Sequence, residues 1–144
     1  MKFKLLGEEN EKVEIEVIGR THPESTDYWD GNWIDAKLKV EIPGYLVEFV
    51  ANLRTDELRG FLDELKIMYK TLKGKVELDN MDEYIHFECE INNLGHIRWI
   101  GKTCYPPGYG AELTFEFQSN QSYLEQIIRE LDAILAVFPV IGNP

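Results

Sequence analysis

Apolar and polar residues alternate over much of the chain. In residues 13–17 the odd positions are apolar and the even positions are glutamate, and in residues 34–42 the even positions are apolar. The pair Pro43-Gly44 interrupts the second run before the alternation resumes over residues 45–53. Period-two alternation is typical of a strand with one buried face, and a Pro-Gly pair between two such runs predicts a hairpin.

The same period returns in the second half of the chain. Apolar residues alternate with polar ones in residues 76–78, 85–91, 97–99 and 113–117, and residues 3–5 add a short run at the start. Together these runs predict about eight strands. Because clean alternation leaves one face of each strand polar, we expect antiparallel strands with one face on a core and the other in water.

Two segments change to a helical period. Their apolar stripes consist of Leu58, Phe61, Leu62, Leu65, Met68, Tyr69 and Leu72, and of Leu124, Ile127, Ile128, Leu131, Ile134, Leu135 and Phe138. Thr55 is the predicted N-cap of the first helix, and Gly74 follows it as a stop. In the second helix Ser122 and Glu125 have the spacing of a capping box, and Pro139 ends the helix. Both stripes are predicted to face a sheet.

The order strands–helix–strands–helix suggests an internal duplication. A shift of 66 positions superimposes the helical stripes, and it places Trp33 on Trp99, Ile34 on Ile100, Gly44 on Gly110, Phe49 on Phe115, Leu58 on Leu124 and Leu65 on Leu131. We therefore predict a single α+β domain over residues 1–144, with quasi-repeat halves 1–74 and 75–144. The expected fold is one continuous, mainly antiparallel sheet with both helices packed on one face.

Charge limits the choice of partners. The 15 lysines and arginines against 26 aspartates and glutamates give a formal net charge of −11. Such a chain repels nucleic-acid backbones and anionic membrane surfaces, so neither is an expected partner, whereas a basic protein would be attracted. No apolar run is long enough for a membrane span, and two cysteines are too few for a disulfide framework. A reduced cytoplasmic protein is the simplest interpretation.

Sequence motifs for catalysis or metal binding are not found. Gly108-Tyr109-Gly110 lacks the third glycine and the following helix of a phosphate loop, and no serine lies in a Gly-x-Ser-x-Gly elbow. His86, Cys89, His96 and Cys104 together suggest zinc ligands. However, His86 and Cys89 are an odd number of positions apart on one predicted strand, so they should point to opposite faces. We therefore predict neither a metal nor a cofactor, and no catalytic residue.

Glutamates dominate the predicted polar face of the strands: Glu14, Glu16, Glu41, Glu88, Glu90, Glu112 and Glu116. A solvated face does not raise a carboxyl pKa, as a general acid requires. We interpret this face as solvated, with Glu88 and Glu90 as candidates for contact with a partner. An enzyme with a carboxylate pair is a third hypothesis, and it requires a glutamate with a raised pKa in a cleft.

Two loops with several aromatic residues interrupt the pattern, at residues 20–32 and 103–110. Tyrosine and tryptophan offer a large apolar area with a polar end, which suits protein interfaces and sugar stacking. The candidate contact residues in these loops are Asp27, Tyr28, Trp29, Asp30, Tyr105 and Tyr109. Trp33 is instead expected to fold back over the end of the core. For Trp29 both alternatives stay open, contact with a partner and folding back over the core. A carbohydrate- or small-ligand-binding module is therefore the alternative to a protein-binding module.

Several short motifs carry a resemblance to a known family. They are Asp27-Tyr28-Trp29-Asp30-Gly31-Asn32-Trp33, Leu53-Arg54-Thr55-Asp56-Glu57-Leu58, Gly95-His96-Ile97, and Gln121-Ser122-Tyr123-Leu124 with Phe138-Pro139-Val140. Together they resemble the WapI-like family of bacterial immunity proteins. The resemblance covers residues 13–141. It implies a cytosolic protein that protects its producer by binding the toxic domain of a contact-delivered toxin, often a nuclease. The favoured hypothesis is a non-enzymatic protein-binding module whose partner is a cognate toxin domain or another basic protein, with the oligomeric state left open.

Overall fold

The computed structural model describes residues 1–144 as eight strands and three helices. The elements in chain order are β1 (Lys2–Leu6), β2 (Lys12–Arg20), α1 (Tyr28–Gly31), β3 (Trp33–Ile42), β4 (Tyr45–Arg54), α2 (Thr55–Thr71), β5 (Gly74–Asp79), β6 (Ile85–Ile91), β7 (Ile97–Tyr105), β8 (Ala111–Ser119) and α3 (Gln121–Val137). The α+β class and the two amphipathic helices agree with the sequence prediction, and the one-turn helix α1 is an addition to it. None of the helices combines the length and the apolar character that crossing a bilayer requires.

The strands form two separate four-stranded antiparallel sheets, ordered β1-β2-β3-β4 and β5-β6-β7-β8. The prediction of one continuous sheet is therefore wrong. Alternation shows which side chains are buried, but it does not show which strands share hydrogen bonds. The sheets are divided at α2, whose 17 residues carry the chain about 25 Å from the last strand of one sheet to an edge of the next.

Both sheets and both long helices contribute to one hydrophobic core of 30 buried residues. The core-facing residues of β3 are the even-numbered ones and those of β7 are mainly odd-numbered. Phe61 of α2 joins the two sheets, because its ring centroid lies 6.4 Å from that of Phe3 in β1 and 6.2 Å from that of Trp99 in β7. Tyr69 and Leu72, which the helical stripe predicted to be buried, are exposed instead.

The capping residues of both helices differ from the predicted ones. Arg54 is the N-cap of α2 and Thr55 is its first residue, whose buried hydroxyl donates to the side-chain oxygen of Asn32 at 2.9 Å. At α3 the N-cap is Asn120, which accepts from the Ser122 N–H at 3.1 Å. The predicted capping box of Ser122 and Glu125 is therefore wrong. In each case the spacing identified the start of the helix to within two residues but not the residue that serves as the cap.

The two halves repeat the order of four strands and a long helix. The shift of 66 positions superimposes α2 on α3, and it places Phe49 of β4 on Phe115 of β8. The same shift does not align β3 with β7. The turn between β7 and β8 spans residues 106–110, whereas Pro43-Gly44 alone joins β3 to β4. Whether the repeat records a duplication stays a prediction.

Strand pairing gives the correct alignment of β3 with β7. Ile34 pairs with Leu53, and the residue 66 positions after Leu53 is Ser119, which pairs with Ile97. Ile34 therefore corresponds to Ile97 and not to Ile100. For the same reason the predicted match of Trp33 with Trp99 is wrong.

Each long helix covers the outer strand of the other half's sheet. The Glu130 carboxylate of α3 accepts from the backbone N–H of Lys4 in β1 at 3.0 Å. The Glu64 carboxylate of α2 accepts from the backbone N–H of Glu77 in β5 at 3.4 Å. The edges at β1 and β5 are thereby closed, which leaves β4 and β8 as the other two edges.

Candidate functional site

The first aromatic loop is held in place by a buried arginine that the sequence analysis did not identify. Arg54, the last residue of β4, is 1% exposed, and its guanidinium carbon lies 4.9 Å from the ring centroid of Trp33, 5.2 Å from that of Tyr28 and 5.5 Å from that of Trp29. It donates to the carbonyl oxygens of Trp29 at 2.6 Å and Tyr28 at 2.8 Å, and to Asp56 Oδ1 at 2.9 Å. A cation enclosed by aromatic rings and oxygen acceptors fixes the loop to the sheet.

The two tryptophans of this region have different environments. Trp33 occupies an odd position in β3, on the face opposite the core, so the prediction that it covers the end of the core is wrong. Its ring packs against Arg54 instead. Trp29 is 54% exposed and meets Tyr28 edge to face with 5.0 Å between ring centroids. Of the two, Trp29 therefore offers the larger exposed indole surface to a partner.

A buried asparagine ties three distant segments together next to this loop. The Asn32 side-chain nitrogen donates to the carbonyl oxygens of Tyr28 at 2.9 Å and Ile141 at 3.0 Å. Its side-chain oxygen accepts from the Thr55 hydroxyl and from the Ile141 N–H, each at 2.9 Å. Asn32 thus joins α1, the start of α2 and the C-terminal segment. Nothing in its sequence environment marks it, since asparagine before a strand is ordinary in loops.

An acidic groove of about 840 Å³ opens beside α2, the turn between β5 and β6, and the outer part of the second sheet. Its lining includes seven carboxylates, Asp56, Glu57, Glu64, Glu77, Asp79, Glu83 and Glu112, against one lysine, Lys102, and His86. Such a concentration of negative charge attracts cationic side chains. The sequence did not reveal the groove, because its carboxylates come from two strands, a helix and a turn that are distant along the chain.

Glu57 lies at the inner side of the acidic groove and has a structural role. Its carboxylate accepts hydrogen bonds from the N–H of Arg54 at 2.8 Å, the side-chain amide of Asn80 at 3.1 Å and the N–H of Met81 at 2.6 Å. Burial raises the pKa of Glu57, although these three hydrogen bonds act in the opposite direction. Glu57 therefore fastens the start of α2 to the turn between β5 and β6.

His86 lies on the outer face of the second sheet between two carboxylates. Its Nδ1 is 2.5 Å from Asp79 Oδ1 and its Nε2 is 3.2 Å from Glu88 Oε1. Burial is the largest single influence on the pKa of His86 and lowers it, but the hydrogen bonds and charges of Glu88 and Asp79 outweigh burial and raise the pKa. The same hydrogen bond from His86 is the main cause of a lowered pKa at Glu88.

Three side chains of this face are near enough to share a metal ion. The ligand atoms of Glu77, His86 and Glu88 all lie within 4.8 Å of one another. Lys75 is already placed among them, with its Nζ 3.4 Å from Glu77 and 3.3 Å from Glu88. The lysine therefore neutralises the same carboxylates that a metal would require. Cys89, one of the residues weighed for zinc, is buried in the core and faces away from His86.

The second aromatic loop and one residue of the first border the acidic groove. The Tyr28 hydroxyl donates to Asp56 Oδ2 at 3.1 Å, and Asp56 lines the groove. Gly108, also in the lining, belongs to the same turn as Tyr109, which is 83% exposed. Tyr105 at the start of that turn is 51% exposed. We refer to Tyr28, Tyr105 and Tyr109 as the aromatic rim.

The remaining predicted contact residues lie at varying distances from the acidic groove. Asp27 caps α1 by accepting from the N–H of Asp30 at 3.1 Å. Glu88 reaches the groove through its contact with His86. Glu90 is outside the lining and pairs with Arg98 Nε at 3.0 Å. The structure thus brings part of the predicted set to one place and leaves Glu90 apart.

A second, smaller acidic depression of about 310 Å³ lies at the other end of β8. It is lined by Glu8, Glu9, Glu11, Glu116, Phe117 and Gln118. Backbone contact holds its two sides together, since the N–H of Glu8 donates to the carbonyl oxygen of Gln118 at 2.9 Å.

Comparison with known proteins identifies the family. In fold, the chain is similar to a chain from crystal structures of Trypanosoma bruciei MRP1/MRP2, with a TM-score of 0.53, 11% sequence identity, and alignment over 94% of this chain and 84% of that chain. At this identity the likeness concerns the fold alone. No curated protein matches the sequence. A model of the immunity protein WapI-like family matches residues 4–139, nearly the whole length, and the chain therefore belongs to the immunity protein WapI-like family.

Proposed function

We propose that this protein neutralises a toxin by binding the toxic domain with the acidic groove and the aromatic rim. Membership of an immunity family supports a toxin as the partner. The observation that carries the choice of surface is the groove lining, in which seven carboxylates face one lysine and one histidine. Exposed tyrosines beside the groove supply the apolar contact area that stable interfaces need at their centre.

The charge of the acidic groove suits a nuclease toxin in particular. An enzyme that binds nucleic acid lines its cleft with lysine and arginine to attract phosphates. Carboxylates such as Glu64, Asp79 and Glu83 would take the positions of those phosphates and close the cleft. Complementary charge of this kind speeds association, while the well-packed central contacts slow dissociation.

This function requires no catalysis, and the ionisable groups of the site support that conclusion. Both oxygens of Glu57 face N–H donors, so neither is free to carry a proton toward a substrate. His86 is engaged on both ring nitrogens by Asp79 and Glu88. We further propose that the protein acts in the cytoplasm, where the thiols of Cys89 and Cys104 stay reduced.

The carbohydrate-binding alternative has less support. A sugar platform needs an open ring face, but the Arg54 guanidinium lies over both Tyr28 and Trp29. Arg54 therefore occupies one face of each of these two rings, which leaves Tyr105 and Tyr109 as the candidate rings without a guanidinium over them.

Co-expression tests the proposed function. The probe is the toxic domain of a toxin whose gene adjoins that of this chain, tagged and expressed with this chain. We expect the two chains to co-purify and the growth arrest caused by the domain to be relieved. Failure of both would reject the proposal. A shift of tryptophan fluorescence with a member of a glycan panel, without toxin binding, would favour the carbohydrate alternative.

A further inference from the structure

The four sheet edges of the molecule are not equally closed. Helices cover β1 and β5, but β4 and β8 are closed only near their C-terminal ends. The carbonyl oxygen of Gln118 in β8 accepts from the N–H of Glu8 at 2.9 Å. Asn52 of β4 lies 66 positions before Gln118, and its carbonyl oxygen accepts from the side-chain amide of Asn80 at 3.1 Å. The rest of each strand has no neighbour on its outer side in the sheet order.

Strand geometry shows which backbone groups of β8 are free. In an antiparallel strand the N–H and C=O of one residue point to the same side, and successive residues alternate. Since the carbonyl of Gln118 points away from β7, the backbone groups of Glu112, Thr114 and Glu116 do so as well. No backbone hydrogen bond outside the regular elements involves these three residues, and their side chains are exposed. They form an open ladder of donors and acceptors.

Charge distinguishes the edge of β8 from that of β4. Glu112 lies in the acidic groove and Glu116 in the second depression, so the open ladder runs between two acidic surfaces. Pairing of single carboxylates does not make the difference, because Glu112 pairs with Lys102 at 3.4 Å and Glu116 with Arg98 at 3.1 Å, as Glu48 of β4 pairs with Lys37 at 2.8 Å. The difference lies in the flanking surfaces. The acidic groove lies at one end of the β8 ladder and the second depression adds Glu8, Glu9 and Glu11 at the other, whereas Leu46 and Val50 of β4 are exposed apolar residues. The edge of β8 therefore complements a basic chain better than that of β4.

We infer that the toxin domain adds a strand to the edge of β8. This inference rests on the proposed function and names the mode of binding. The occupant is an extended segment with lysine or arginine toward both ends. Its backbone pairs with Glu112, Thr114 and Glu116, a length of about 14 Å at 3.4 Å per residue. Main-chain hydrogen bonds supply affinity in strand addition, and the flanking cationic side chains give the specificity.

Amide hydrogen exchange tests the inference directly on the wild-type protein. The probe is the same toxin domain, and exchange is measured for the free chain and for the purified complex. We expect exchange at Glu112, Thr114 and Glu116 to slow at least tenfold in the complex, whereas Glu48 and Val50 of β4 keep their rates. Protection of β4 instead of β8 would overturn the inference.

A pair of proline variants provides the matched control. Thr114→Pro removes an outward N–H without removing a hydrogen bond to β7, and proline is tolerated at such edge positions. Glu48→Pro makes the same change 66 positions earlier on β4. Thr114→Pro should weaken the complex at least tenfold, while Glu48→Pro and Thr114→Ala should leave its affinity within twofold. If Thr114→Pro does not fold, the exchange experiment still tests strand addition at β8, because it uses the wild-type protein.

The outcomes separate this inference from the proposed function. A complex that forms and neutralises the toxin without protection of β8 contradicts strand addition but leaves the proposed function in place. Absence of any complex rejects both. Protection of β8 in the free chain that disappears on dilution would identify a second copy of this chain as the occupant, and would overturn the inference.

Discussion

Arg54 and Trp33 lie directly opposite each other on β4 and β3, and the guanidinium carbon of the arginine is 4.9 Å from the indole ring centroid. This cross-strand pair sits on the outer face of the sheet, yet the arginine is almost fully buried because the first aromatic loop folds over it. The loop that contributes to the aromatic rim is therefore part of the folded core structure rather than a mobile appendage.

Removing the buried guanidinium should destabilise the protein strongly. Arg54→Leu leaves the carbonyl oxygen of Trp29 without its donor and that of Tyr28 with Asn32 alone. It should lower the free energy of unfolding by about 3 kcal/mol. Urea denaturation followed by tryptophan fluorescence measures the change. Arg59→Leu, at a partly exposed position of α2, is the control and should shift the value by no more than about 0.5 kcal/mol. Equal effects of the two substitutions would contradict the role of Arg54.

Stability should depend on the protonation of His86. Its pKa in the folded state is raised, so its contribution is complete below the unfolded value near 6.5 and is lost as the pH rises through the folded pKa. Because the side chain is 37% exposed, the expected loss is small, about a few tenths of a kcal/mol. His86→Gln should remove this part of the pH dependence, whereas His22→Gln should retain it. Nuclear magnetic resonance titration of the ring should give a pKa above 6.5, and a lower value would refute the prediction.

The thiol of Cys89 should be unreactive in the folded protein. Burial raises its pKa to about 12, and only the thiolate reacts readily with disulfide reagents or alkylating agents. At pH 8 we expect no modification of Cys89 within an hour, and rapid modification after unfolding in urea. Peptide mapping by mass spectrometry identifies the modified residue. Rapid labelling of Cys89 without denaturant would show that the core opens readily.

Charge in the acidic groove should control the rate of toxin binding. Glu64→Lys with Glu83→Lys should lower the association rate constant at low salt by about tenfold, because steering depends on the local field. The control is Glu24→Lys with Asp63→Lys, which changes the net charge equally at exposed positions outside the groove. Stopped-flow kinetics at two salt concentrations distinguishes the variants. Similar rates for both would show that net charge, and not the groove, governs association.

The hydrophobic pattern predicted the elements well but could not predict how they pair. Period-two alternation identified β2, β3, β4 and β6, since one face of each strand is buried. It carries no information about hydrogen-bonded neighbours, so two sheets were indistinguishable from one. The misalignment of Trp33 with Trp99 has a similar cause, because a three-residue difference in a turn reverses the face on which a strand residue lies.

The candidate site was predictable only in part. Tyr105 and Tyr109 stand out in the sequence because tyrosine in a loop rich in proline and glycine has no evident core position. Arg54 does not stand out, since an arginine at the end of a strand is usually exposed, and the rings that bury it come from residues 28–33. The acidic groove depends on the distance between α2 and β5, which only the tertiary structure determines.

The exchange of helices between the two halves means that neither half is self-sufficient. A cut between Thr71 and Gly74 would separate β1 from α3 and β5 from α2. Each fragment would contain the helix that packs on the edge strand of the other. We therefore expect two fragments divided at this point to fold only when they are mixed.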